Sequence, residues 1–123
     1  MARTNNACGL FAILVGVFLL VEGIWGLSSP VVFGVLSTNT LHAIIHIVLG
    51  VIGIGTGLRG GARRYCMFLG ILLLAVGGLW FVPGASKLVV SLFNVNFAVA
   101  VLNIVVGAVA LALSLRAPAA RRR

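Results

Sequence analysis

The chain has 123 residues, is 62% hydrophobic, and carries a formal charge of +8 with a single acidic residue, Glu22. Charged residues make up 8% of it, against about 25% in a soluble domain, so a water-facing surface is excluded and lipid is the expected surrounding. The basic residues cluster at the ends of apolar runs without interleaved aromatics, which excludes nucleic acid as a partner and reads as a topology signal.

Four apolar segments reach the length of about 20 residues that a span requires: approximately Ala7–Leu27, Asn39–Leu58, Tyr65–Val82 and Asn96–Leu115. Each must be helical, because a lone segment in lipid has to satisfy every backbone amide internally. The first run is too long for a signal-peptide core and no A-x-A site follows it, so it reads as an uncleaved helix. Arg3, Arg59, Arg63, Arg64, Arg116 and Arg121 to Arg123 then fall on one side and Lys87 on the other. The positive-inside rule predicts a multi-pass protein of the inner (plasma) membrane with both termini cytoplasmic. Cys8 and Cys66 lack metal-ligand spacing and read as small packing residues in a reducing compartment.

Trp25 and Trp80 close the first and third segments, at the headgroup level that indole favours. Short apolar stretches follow, Val31 to Leu36 and Leu88 to Phe93, for which interfacial helices or turns are expected. Pro30 behind Ser28-Ser29 has the form of a helix start. Asn39 and Asn96 read as N-caps, and Arg59 and Arg116 as anchors at the opposite helix ends.

The run from Asn39 to Gly50 returns from Asn96 to Gly107, a shift of about 57 positions. One domain over 1–123 is expected, with repeat 1 at about 7–59, repeat 2 at about 65–116 and a basic tail at 117–123. Small residues recur every seven positions: Gly9, Gly16 and Gly23; Ala43, Gly50 and Gly57; Gly70 and Gly77; Ala100, Gly107 and Ser114. That period predicts close helix contact in a left-handed bundle. The fold class is therefore all-α, four transmembrane helices as two repeated hairpins.

The candidate site lies where the copies differ. His42 and His46 are the only histidines, and four positions apart they share a helix face. The stripe of small residues turns His46 and Asn103 inward and leaves His42 near the first turn, close to outer water. Glu22 flanks the stripe of the first helix, roughly 8 Å from its outer end, at the depth of His46. Ionisable groups inside a span face inward and pair, so a Glu22–His46 pair is expected, replaced in the second repeat by Gly77 and Asn103. A structural polar contact is one reading. A proton relay is another, since histidine changes charge near neutral pH. A metal site lacks a zincin glutamate and is not assigned. Haem or pigment ligation through His42 or His46 needs no second histidine, but the equivalent position is Asn103. No nucleophile constellation is present, so no catalysis is expected.

The segment from Phe33 to Gly50, with Leu41-His42, His46 and Leu49-Gly50, resembles the small bacterial membrane proteins grouped as domain of unknown function 4383. The resemblance runs from about Cys8 to Arg116 and includes the arginine-rich loop Arg59 to Tyr65. Where that family often carries L-H-N, this chain has Leu41-His42-Ala43, and its fourth helix has Leu102-Asn103. The resemblance implies a four-helix membrane fold and brings no activity or cofactor. The expected role is a structural or accessory component working against lipid and within a larger membrane complex or homo-oligomer; the alternative is a small transporter or proton-conducting protein using Glu22 and His46.

Overall fold

The computed structural model describes residues 6–116; Arg3 and the basic tail, to which part of the topology signal belongs, lie outside the described residues. The elements are helix α1 (Asn6–Ser28), strands β1 (Val31–Val32) and β2 (Leu36–Ser37), and helices α2 (Thr40–Arg59), α3 (Ala62–Trp80), α4 (Ala85–Phe93) and α5 (Phe97–Arg116). Four of the helices, α1, α2, α3 and α5, are long and apolar enough to cross a membrane. The chain is an all-α membrane fold, and the four spans fall within a few residues of the apolar segments.

Arg59, Arg63, Arg64 and Arg116 gather at one end, the arginine end, because α2 and α5 both finish there and α3 starts there. The other end, the cap end, holds the β-hairpin and α4. Gly60 and Gly61, both at positive φ, make the tight turn from α2 into α3 at the arginine end. The Arg63 Nε donates to Ser114 O at 2.9 Å, a cation on the orphan carbonyls of the last α5 turn.

Each hairpin is a glycine-paired unit, α1 on α2 and α3 on α5. A Cβ added at Gly16 would lie 2.7 Å from Gly50 O, and one at Gly50 2.6 Å from Gly16 O. In the second hairpin a Cβ at Gly70 would lie 2.8 Å from Gly107 O, and one at Gly107 3.0 Å from Gly70 O. Those contacts are repeat images of one another, since Gly107 is Gly50 moved on by 57 (107 − 50 = 57). Close backbone approach is what holds membrane helices together where lipid offers no hydrophobic drive. The two hairpins meet through larger side chains: Val15, Leu49, Leu69 and Leu73 fill the half toward the arginine end, and Val32, Leu36, Val95 and Val99 the half toward the cap end. Cys8 and Cys66 are buried free thiols in the first of these clusters.

The first connection at the cap end takes the turn of the two expected forms, flanked by a short strand pair, and not the helix that Pro30 suggested. Val31–Val32 and Leu36–Ser37 pair antiparallel. Val35 N donates back to Val32 O at 3.2 Å, with Phe33 and Gly34 both at positive φ, the conformation of a hairpin turn. Ser28 and Ser29 do not cap a new helix behind Pro30. The Ser28 hydroxyl donates to Trp25 O, closing α1, and that of Ser29 to Val31 O. The β-branched Val31-Val32 pair then favours a strand. The second connection is the expected short helix, α4, which ends at Asn94 in a left-handed conformation.

Candidate functional site

A chain of side-chain hydrogen bonds crosses the cap end and leads to the buried polar residues. Asn39 caps α2: its Oδ1 accepts from His42 N at 2.8 Å. Asn96 caps α5 in the same way, accepting from Val99 N at 2.9 Å. Each asparagine also uses its remaining amide group on the other repeat. The Asn39 Nδ2 donates to Leu92 O and the Asn96 Nδ2 to Val35 O, and Leu92 is Val35 moved on by the same 57 positions (92 − 35 = 57). The caps thus clasp the two hairpins reciprocally.

Helix α4 supplies the acceptors, because the last carbonyls of a helix have no partner within it. Leu92 O takes Asn39, Phe93 O takes Nδ1 of His42 at 2.9 Å, and Asn94 O takes the Ser37 hydroxyl. Asn94 returns a bond from Nδ2 to Thr38 O at 2.8 Å. A carbonyl can only accept, so the proton of the neutral His42 ring sits on Nδ1 and the lone pair on Nε2.

His42 is therefore buried rather than close to water: it is 5% exposed, because α4 folds back over the first turn of α2 and lays Phe93 against it, ring centroids 5.7 Å apart. His46 lies one turn deeper, its ring T-shaped to that of His42 at 4.2 Å. The Nδ1 of His46 is 2.8 Å from Oε1 of Glu22, so the expected pair forms. Glu22 and His46 are each 5% exposed. Because Glu22 is the only acid in the chain, a lone buried carboxylate, costly without a partner, is met by the imidazole of His46.

Asn103 also turns inward and is 6% exposed. It lines a small cavity of about 60 Å³ together with His42, His46, Leu72, Leu73, Val76 and Phe93. Among the described residues its carboxamide makes no hydrogen bond. The reason is the counterpart of Glu22. Gly23 packs on Ala43 O and Ile47, and Gly77 on Ala100 O and Ile104; Ala100 and Ile104 are Ala43 and Ile47 shifted by 57. Gly77 thus corresponds to Gly23, and the residue standing for Glu22 is Val76, not Gly77. In repeat 2 the histidine has become asparagine and its carboxylate a valine.

Toward the arginine end the polarity stops. The residues below His46 are buried Leu49, Leu69 and Leu73, and the polar atoms there are tied to backbone: the Tyr65 hydroxyl donates to Leu49 O at 2.8 Å and the Cys66 thiol to Cys8 O at 3.7 Å. Tyr65, which sequence reasoning overlooked, is the side chain that joins α3 to α2 at this level. A haem or chlorophyll ring is far larger than the cavity beside the histidines, and could reach them only if the hairpins parted.

No curated protein and no solved structure matches the chain. A protein-family model, described as domain of unknown function (DUF4383), matches residues 9–115, which takes in both glycine-paired hairpins, both capping asparagines and the whole buried cluster. On that match the chain belongs to the DUF4383 family of unknown function.

Proposed function

We propose that this protein is a non-catalytic, non-conducting accessory component of a larger assembly in the inner membrane, its cap end outside and its arginine end cytoplasmic. The orientation is supported by the four arginines at one end against Lys87 at the other, the bias that sets membrane topology. The observation that carries the non-conducting reading is the confinement of Glu22, His42, His46 and Asn103 to the half nearer the cap end, above a packed layer of Leu49, Leu69 and Leu73. A relay needs groups that pass protons through the full thickness, and below His46 the Tyr65 hydroxyl and the Cys66 thiol are each tied to a backbone carbonyl.

Against catalysis stands the use of the serine hydroxyls. Those of Ser28, Ser29, Ser37 and Ser114 all donate to backbone carbonyls, and none faces a base. The accessory role is supported by what the helices offer outward: α2 presents Ile44, Val48, Val51 and Ile52, a smooth apolar face suited to lipid or to a neighbouring helix. Gentle extraction followed by native mass spectrometry tests this. The protein is expected to emerge with partner subunits or as a homo-oligomer, and Glu22→Gln to leave that assembly intact. Recovery as a monomer at every detergent concentration overturns the reading.

A further inference from the structure

The two imidazoles are held in the way that metal-binding imidazoles are held. Each has its Nδ1 engaged, that of His42 by the Phe93 carbonyl and that of His46 by the Glu22 carboxylate. A neutral ring so anchored keeps Nε2 as its lone-pair nitrogen, and a carbonyl or carboxylate behind the ring is the usual support of a ligating histidine. The two rings sit 4.2 Å apart on one helix face. Both line the cavity that Asn103 also lines.

Three further observations point to a charged occupant. Asn103 is nine-tenths buried and without a hydrogen-bond partner among the described residues, a state that is unfavourable when left uncompensated. Glu22, the only acid in the chain, stands 2.8 Å behind His46, so the site carries the one acidic group able to balance a cation. The cavity, about 60 Å³, has room for an ion with a water molecule and for little more. Among the described residues no three His, Cys, Asp or Glu side chains gather into a ligand set, so a third protein donor has to be the carboxamide oxygen of Asn103.

We propose that His42 and His46, through Nε2, and Asn103, through Oδ1, bind one imidazole-preferring divalent transition-metal ion, with Glu22 orienting His46 and balancing the charge. Two nitrogens and one neutral oxygen favour Zn²⁺, Ni²⁺ or Cu²⁺ over Mg²⁺ and Ca²⁺, which take all-oxygen sets. Binding through the two Nε2 lone pairs and the Asn103 oxygen consumes no redox partner.

The test uses the full chain in detergent, purified through a tag without histidine, stripped with chelator and titrated with Zn²⁺ and with Co²⁺ as a coloured probe. One ion per chain is expected, with Co²⁺ d–d bands that Zn²⁺ displaces and Mg²⁺ does not. His42→Ala and His46→Ala should each abolish binding, and Glu22→Gln should weaken it by about 10–100-fold, the loss typical when the group behind a ligating histidine is removed. Asn103→Val copies an apolar neighbour and should also weaken it. Should a histidine variant fail to fold, ¹⁵N-histidine NMR of the wild type serves instead: Zn²⁺ is expected to move both Nε2 resonances and neither Nδ1. Absence of stoichiometric binding, undiminished binding in the double histidine variant, or unmoved Nε2 resonances would overturn the proposal and leave ordered water as the occupant.

Discussion

The Nδ1 of His46 lies 2.8 Å from Oε1 of Glu22, and the two positions that correspond to them in the second repeat, Asn103 and Val76, line the same cavity. One bundle thus contains both a charged and an uncharged solution to the same packing problem. The uncharged one specifies how the charged one can be removed.

His46→Asn alone strands the buried Glu22 carboxylate, and a broken buried pair costs about 3–5 kcal/mol. Adding Glu22→Val reproduces the Val76–Asn103 arrangement. The double variant is expected to be more stable than His46→Asn, with a coupling energy of about 0.5–3 kcal/mol between the two sites. Reversible unfolding in mixed micelles measures all four corners of the cycle. Additive losses would show that the pair does not act as a unit.

The glycine stripe makes a contrast within one helix. A Cβ at Gly50 would lie 2.6 Å from Gly16 O and 2.8 Å from Leu20 N, whereas one at Gly55 meets nothing within 4 Å. Backbone cannot yield as a side chain can, so Gly50→Ala should force α1 and α2 apart and cost about 1–3 kcal/mol, as overpacking does. Gly55→Ala should leave stability unchanged or raise it by up to about 1 kcal/mol through helix propensity. Thermal unfolding of the two variants in the same detergent checks the pair, and equal losses would contradict glycine-mediated packing.

The capping asparagines each do two jobs, and the two can be separated. Asn96→Asp keeps the oxygen that accepts from Val99 N but loses the amide that donates to Val35 O. It should cost less than Asn96→Ala, which loses both and a cap worth about 0.5–2 kcal/mol. Asn39→Asp should behave alike, through Leu92 O. Amide hydrogen exchange is the more telling readout, since loss of the clasp should speed exchange in the β-hairpin or α4 while the α3–α5 contact stays protected.

Much of this is legible in the sequence, and for physical reasons. A span in lipid must be helical and of a set length, so α1, α2, α3 and α5 follow from apolar runs alone. The face of a helix follows from its period, so the sevenfold small residues placed His46 and Asn103 inward, and equal depth brought Glu22 to His46. What was not legible depends on chain reversal. Val31 to Leu36 and Leu88 to Phe93 are equally apolar, yet one is a hairpin and the other a helix, because Phe33-Gly34 turns left-handed and Ser28 closes α1. His42 is buried only because α4 returns over it to offer the Phe93 carbonyl. Val76 was missed as the match of Glu22 because the third helix is offset by 54 from the first (77 − 23 = 54), while α5 is offset by 57 from α2.

The recurrence of Asn39 and Asn96 was readable as capping, but not their reach across to Leu92 and Val35. That contact joins the two repeats, and a period in the sequence shows only what each copy does by itself.

On the proposed reading Glu22 and His46 form a closed site and not one end of a proton path. Passive proton flux into liposomes, read with an entrapped pH-sensitive dye under a potassium-diffusion potential, tests it most directly. Reconstituted wild-type protein is expected to dissipate the gradient no faster than protein-free liposomes, and Glu22→Gln to change nothing. A wild-type flux above that baseline that Glu22→Gln or His46→Ala abolishes would contradict it.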